Sequence, residues 1–363
     1  MTRIKREIYE KEISACSLFG AMNRNKERFT GEGVISAIAN MHVRGNGLGG
    51  GFAIYGLYPK YKDCYAFHIM FERRNKDAKK ETDAFLSMNF DLVYDEEIPH
   101  GDAKVVNPPL VWRYFVIPKK RREEENFSDD DYVVQKVMHI NTKIEDAYVF
   151  SSGKDMGVFK GVGYPEDVAE YFFLDKYKGY IWTAHGRFPT NTQGWWGGAH
   201  PFSILDWTVV HNGEISSYGT NRRYLEMHGY YCTLHTDAEV MTYAVDLLMR
   251  RQHLPMSLVA RIFAPPFWEL IDRMDENERK LLTELRMVYA PMLINGPFAV
   301  IIAHHDEMIG LTDRIRLRPL IAGVRGEMFY LSLEEAAIRL LSQKLDKVWT
   351  PNGGEPVIVR INR

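Results

Sequence analysis

Apolar positions along the chain fall into short dense runs separated by turn-rich or charged stretches, with helical spacing in only a few places. After a polar leader at 1–15, a mixed segment from Cys16 to about Tyr58 ends in a glycine-dense stretch, 45–51, that leads into the strand-like run 52–55. The run at 65–71 predicts a buried strand. A helical stretch around 81–90 and a short strand at 92–94 follow. Residues 110–117 form a second dense run. Ser128 then precedes three aspartates, the signature of a helix start, and Val133, Val134, Val137, Met138 and Ile140 continue at helical spacing. A strand at 147–150 closes the segment.

That order is β-α-β twice, the connectivity of a ferredoxin-like (βαββαβ) module, assigned here to residues 61–150 as an insertion. From 151 to about 236 strands alternate with glycine-rich turns. A helix is expected from the stripe Ala238, Val240, Met241, Ala244, Val245, Leu247 and Leu248, and further helix over 256–290. Residues 298–303 and 308–311 read as a buried hairpin around His304-His305-Asp306-Glu307. Two groups of strands with helices between them predict stacked sheets covered by helices, an α+β arrangement. The glycines at 45–51 lack the Lys-Ser/Thr of a phosphate-binding loop and are followed by a strand. Close backbone packing accounts for them better than a dinucleotide fingerprint, which needs strand, glycines, then helix.

With 363 residues, two domains or one large domain carrying an insertion are expected. Lys plus Arg (46) nearly balances Asp plus Glu (48), for a formal net charge of −2. The one basic run, Lys119-Lys120-Arg121-Arg122, is followed by Glu123-Glu124-Glu125. This balance argues against a nucleic-acid or anionic-membrane partner. No apolar run approaches the roughly 20 residues that span a bilayer, and the charged leader lacks the apolar middle of a signal peptide. Three cysteines (16, 64 and 232) without a CxxC pair point to the reducing cytoplasm. They exclude a four-cysteine iron–sulfur or zinc site built by this chain alone, and no metal site is expected.

Cys16 in isolation reads as a small buried hydrophobe. Its position behind a short charged leader changes that. If residues 1–15 were removed, Cys16 would carry a free α-amine with a pKa of roughly 8, able to accept the thiol proton without a histidine. Four later motifs are distinctive: His185-Gly186-Arg187-Phe188-Pro189-Thr190-Asn191-Thr192, Ala199-His200-Pro201-Phe202, His211-Asn212-Gly213-Glu214 and Thr236-Asp237-Ala238-Glu239. Singly, each has an ordinary structural explanation, a tight turn for Asn-Gly and a helix N-cap for Thr-Asp-Ala-Glu among them.

In this order they resemble the class II (N-terminal nucleophile) glutamine amidotransferases, most closely the glutaminase part of glutamate synthase. Arg44-Gly45 near the start, and Gly296-Pro297-Phe298-Ala299 followed by Asp313-Arg314 and Leu317-Arg318-Pro319-Leu320, add to the resemblance. It covers Cys16 to about Tyr58 and about Gly153 to Leu320, and leaves out the insertion.

The resemblance implies a four-layer αββα N-terminal nucleophile hydrolase domain made of residues 16–60 and 151–363, with 1–15 a removed propeptide. It implies hydrolysis of L-glutamine by Cys16 through a thioester, with Asn212 and Gly213 as oxyanion donors. Arg187 would hold the substrate α-carboxylate and Asp237 the α-ammonium, with Arg44 and Thr190 in softer roles around the site. The three histidines at 185, 200 and 211 fall on structural positions of the family. Ser17 stands where the family commonly has glycine. No cofactor is expected in this chain. FMN and iron–sulfur clusters would lie on partner subunits of a hetero-oligomer, with ammonia passed to an FMN-dependent synthase subunit. Three alternatives remain open: a catalytically silent glutamine-binding or scaffolding subunit, the glutaminase subunit of an N-methylglutamate synthase, and hydrolysis of some other amide, against which the Arg187 and Asp237 pair argues.

Overall fold

The computed structural model describes residues 15–120, 124, 126–189 and 194–362. Two antiparallel sheets form the centre. The larger has seven strands, in the order Lys347–Trp349, Ile321–Arg325, Met328–Ser332, Ser17–Asn23, Ile181–Gly186, Gly50–Tyr55 and Met156–Gly161. The second has five: Phe202–Ile204, Trp207–Gly213, Phe298–His304, Glu307–Thr312 and Val357–Arg360.

The strands Ser17–Asn23 and Ile181–Gly186 pack face to face on Trp207–Gly213 and Phe298–His304. Helices Glu32–Ala39, Pro165–Tyr171 and Glu335–Leu341 cover the outer face of the seven-stranded sheet, and Asp237–Val245 lies on the five-stranded one. Strands covered on both faces have no solvent side. Ser17–Asn23 is therefore buried at every residue although its two end residues are polar, and Phe298–His304 reads as an apolar run rather than an alternating one. This is the four-layer αββα arrangement.

Between Tyr65 and Ser151 a separate four-stranded antiparallel sheet is ordered Phe90–Glu97, Leu110–Pro118, Tyr65–Phe71 and Ala147–Ser151. Helices Lys76–Asn89 and Asp129–Lys143 connect its strands in the βαββαβ order, so the module is ferredoxin-like. The Asp129–Lys143 helix starts as its residues dictate, with the Ser128 hydroxyl accepting from Asp131 N. One of the contacts between the module and the main body is His68, whose Nδ1 meets Val158 O at 2.8 Å while Tyr58 Oη approaches its Nε2 at 2.9 Å.

The segment after 151 departs from the expected strands and turns in two places, since Pro165–Tyr171 and Tyr218–Met227 are helices. The first carries a signal that was available, a proline at the first helical position followed by Glu166 and Asp167, with Asp167 accepting from Tyr164 N. The apolar stripe after Asp237 is α-helical to Val245 and then widens into a π-helical stretch, Asp246–Arg251. Residues 256–290 hold three helices, Met256–Phe263, Trp268–Ile271 and Glu276–Val288. The glycine-dense stretch runs into the strand Gly50–Tyr55. A Cβ on Gly51 would lie 2.3 Å from His200 O and 2.6 Å from Phe159 O, so close approach requires glycine there. Among the described residues no helix is long and apolar enough to cross a membrane.

Candidate active site

Cys16 sits at the mouth of the sandwich because the strand that follows it pairs with Ile181–Gly186, with Ser17 opposite Gly186. The chain leaving that partner strand carries Arg187 and Phe188 directly past the thiol. Phe188 N donates to Cys16 Sγ at 3.4 Å, and the thiol lies 3.9 Å from Phe188 O. Burial pushes the Cys16 thiol above its ordinary pKa, against smaller opposing effects of the Phe188 backbone and the Arg187 guanidinium. The group is therefore a thiol at neutral pH and needs a base to become a nucleophile. Among the described residues its Sγ hydrogen-bonds only with the Phe188 backbone, and no imidazole takes that role.

The opposite sheet supplies the other wall. In the strand Trp207–Gly213, Asn212 pairs with Ala299 and Gly213 with Phe298. A Cβ on Gly213 would lie 2.0 Å from Pro297 O, so only glycine fits. Asp237 opens the helix Asp237–Val245, whose first turn is capped by the Thr236 hydroxyl. Its Oδ2 accepts from Ile215 N at 3.1 Å, and its Oδ1 lies 3.5 Å from His211 Nδ1. Burial alone would push this carboxyl up. The His211 imidazole and the backbone N–H groups of Ile215 and Ala238 outweigh that and hold it below the ordinary carboxylate range, so it is ionised at neutral pH.

Cys16, Arg187, Gly213, Tyr218 and Asp237 line one cavity of about 310 Å³. Arg187 is 5 % exposed. Burial pulls its pKa below the ordinary arginine value, with Cys16 and Asp237 acting in the opposite sense. A guanidinium and a carboxylate thus face a space shared with a thiol, an arrangement suited to a zwitterionic amino acid with a reactive side chain.

The other expected residues stand around this wall. Asn212 is buried and does not line the cavity, and its Nδ2 has no hydrogen-bond partner among the described residues. Arg44 acts from behind, its Nε donating to Cys16 O at 3.2 Å and its guanidinium pairing with Glu334 at 3.0 Å. Thr190 lies outside the described residues.

His200 and His211 line the cavity, and His185 lies against both. His185 and His200 stack at 4.0 Å between centroids, and His185 Nε2 donates to His211 O at 2.8 Å. Burial lowers His185 to about 3 and His200 well below its ordinary value, so both are neutral. Two contacts around the cavity have no signal in the sequence. Glu334 carries no motif and reaches Arg44 across 290 residues. The His211–Asp237 contact joins two motifs that are separate in the sequence.

The family model for class II glutamine amidotransferases matches residues 62–346. The chain belongs to this family. An uncharacterized protein of Archaeoglobus fulgidus is 65 % identical over 354 residues, covering 97 % of this chain and 94 % of its own. A Methanothermobacter thermautotrophicus protein, provisionally named a glutamine amidotransferase, is 27 % identical over 297 residues, covering 80 % of this chain and 81 % of its own. Among solved structures, the glutamine phosphoribosylpyrophosphate amidotransferase of B. subtilis aligns over 95 % of this chain and 47 % of that one, with a TM-score of 0.47 and 16 % identity.

Proposed function

We propose that this chain is the glutaminase subunit of a synthase of the glutamate synthase type, hydrolysing L-glutamine at Cys16 and passing ammonia to a partner subunit. The observation that carries the reading is the joint presence of the Cys16 thiol, the Arg187 cation and the Asp237 anion on one cavity. The α-carboxylate binds Arg187 and the α-ammonium binds Asp237, which directs the side-chain amide toward Sγ. Removal of residues 1–15 frees the Cys16 α-amine, which takes the thiol proton as Sγ attacks the amide carbon. The carbonyl oxygen becomes an oxyanion, held by the Asn212 side-chain amide and Gly213 N–H. The proton returns to the leaving nitrogen, the C–N bond breaks and ammonia departs, leaving a thioester. Water, deprotonated by the same amine, then hydrolyses the thioester to glutamate and restores the thiol.

The catalytic domain in this reading is residues 16–60 with 151–363, and 61–150 is an insertion. The ammonia acceptor is an FMN-dependent synthase subunit that also carries the iron–sulfur clusters, in a cytoplasmic hetero-oligomer. No cofactor is assigned to the glutaminase step, since thiol and amine come from the chain itself.

The test begins with the intact mass of the protein from its native source. The reading expects a chain starting at Cys16, which releases ammonia and glutamate from glutamine, and a Cys16→Ala variant with no such activity. Full activity in that variant would overturn it. A source protein that retains residues 1–15 and stays inactive beside its partner would instead mark a silent subunit. Transfer to methylamine in the reconstituted complex would identify an N-methylglutamate synthase.

A further inference from the structure

At the far end of the strand Trp207–Gly213 from the cavity, two hairpin turns lie side by side. Ile204 pairs with Trp207, leaving Leu205 and Asp206 as one turn, with Leu205 in the left-handed region at φ 50°. His304 pairs with Glu307, leaving His305 and Asp306 as the other. Because Thr208 sits opposite Ala303, the two turns emerge from neighbouring strands at the same edge. Six residues of extended strand separate them from Gly213, about 20 Å.

One ligand-type atom from each of Asp206, His304 and His305 lies within 4.8 Å of the others. Contacts around the cluster orient the His304 ring and anchor the backbone of both turns. Asp306 Oδ1 meets His304 Nδ1 at 2.6 Å, a carboxylate contact that orients the ring and makes Nε2 the nitrogen available to a metal. The His304 ring rests on Trp207, with centroids 4.3 Å apart. Lys154 N donates to Asp206 Oδ1 at 2.6 Å, while Oδ2 faces His305 Nδ1 at 3.6 Å. The turn backbones are pinned too, since Tyr180 Oη donates to His305 O and Tyr55 Oη to Asp206 O, each at 2.9 Å.

We infer that Asp206, His304 and His305 form a binding site for a borderline divalent transition-metal ion, of which Zn²⁺ is the probe, tying the two hairpins together away from the glutamine cavity. Two imidazoles and one carboxylate suit such an ion, with water at the remaining position. Ligand atoms about 2.0–2.1 Å from a tetrahedral zinc are about 3.3 Å apart. Closing from a spacing of up to 4.8 Å needs side-chain shifts of up to about 1.5 Å, open to His305 and Asp206, whose side chains are 46 % and 24 % exposed. The carboxylate of Asp306 behind His304 completes a carboxylate–histidine–metal relay.

The experiment is equilibrium dialysis of untagged full-length protein against Zn²⁺ at pH 7.5, with metal counted by mass spectrometry. A Cys16→Ala background removes the accessible thiol as a competing ligand. One zinc per chain is expected. The His304→Ala/His305→Ala double variant should lose at least about 100-fold in affinity and Asp306→Asn about 10-fold. Each variant's metal-free melting curve must match that of its background, which separates loss of ligands from loss of fold. If a variant melts early, Co²⁺ is added to the Cys16→Ala protein instead, and visible bands of imidazole- and carboxylate-bound cobalt are expected. No bound zinc, equal binding by the double variant, or no cobalt bands would overturn the inference.

Discussion

Asp237→Asn is the substitution that tests the substrate reading most directly. Asparagine keeps the shape and can still accept from Ile215 N, the 3.1 Å contact that places this side chain on the cavity wall. What it removes is the negative charge, which the His211 imidazole and the backbone N–H groups hold ionised against burial. A desolvated charge-assisted hydrogen bond contributes about 1.5–3 kcal/mol. At about 1.4 kcal/mol per factor of ten, kcat/KM for glutamine should fall roughly 10- to 150-fold. The discriminating substrate is glutaramate, which is glutamine without its α-amine. It never contacts Asp237 as an ammonium, so its kcat/KM should change less than about 3-fold, a small fraction of that contact energy. Ammonia release from both substrates, measured by a coupled assay on the mature protein, gives the ratio. Equal losses on the two substrates would refute the ammonium assignment and make Asp237 a structural residue.

Three further outcomes follow from named contacts. Arg44→Met breaks the bond to Cys16 O and the pair with Glu334, so kcat should drop about 10-fold, near 1.4 kcal/mol, with KM for glutamine little changed. Glu334→Gln in the chain that keeps Arg44 retains an acceptor for its guanidinium and should retain most of the rate, as initial-rate kinetics will show. Gly213→Ala forces a Cβ against Pro297 O and should cost about 1–3 kcal/mol or more by urea unfolding, with activity lost through strand displacement. Lys160 is buried, with its Nζ donating to Gly197 O at 3.0 Å, and burial lowers its pKa from 10.5 to about 7. Between those values the unfolded chain holds a proton that the folded one lacks, so this residue makes stability rise with pH from about 7 to 10.5, by at most about 1.4 kcal/mol per unit. Lys160→Met should flatten that slope in urea titrations at a series of pH values; an unchanged slope would show that the lysine is charged in the fold.

The legible part of the architecture was the part governed by local pattern. The strand Phe298–His304 announces itself through the apolar run 298–303, whereas Ser17–Asn23, buried along its whole length but with Ser17, Gly20 and Asn23 in it, is hidden in a mixed segment. The βαββαβ order between Tyr65 and Ser151 could be read from alternating runs and the Ser128 cap. The helix at Pro165–Tyr171 was hidden among glycine-rich turns because it spans only 7 residues, too few for a periodic stripe to outweigh its surroundings. The chemistry divides in the same way. Asn212-Gly213, Arg187 and Asp237 stood out as motifs, while Glu334, which has no neighbouring signal, did not.

Residue types and spacing determined that a thiol, a guanidinium, a carboxylate and an Asn-Gly pair were present, and that short apolar strands would stack into sheets. Tertiary structure decided what each of them meets. Phe188 reaches Cys16 across 172 residues because two antiparallel strands end together, and Asp237 reaches His211 because a helix start packs against the end of a strand. Likewise Asp206 comes to His304 and His305 only because their hairpins are neighbours in one sheet. Apolar burial is local, additive and readable as a pattern. Contacts between distant polar groups depend on strand pairing and sheet packing, where one residue of register turns a side chain to the opposite face.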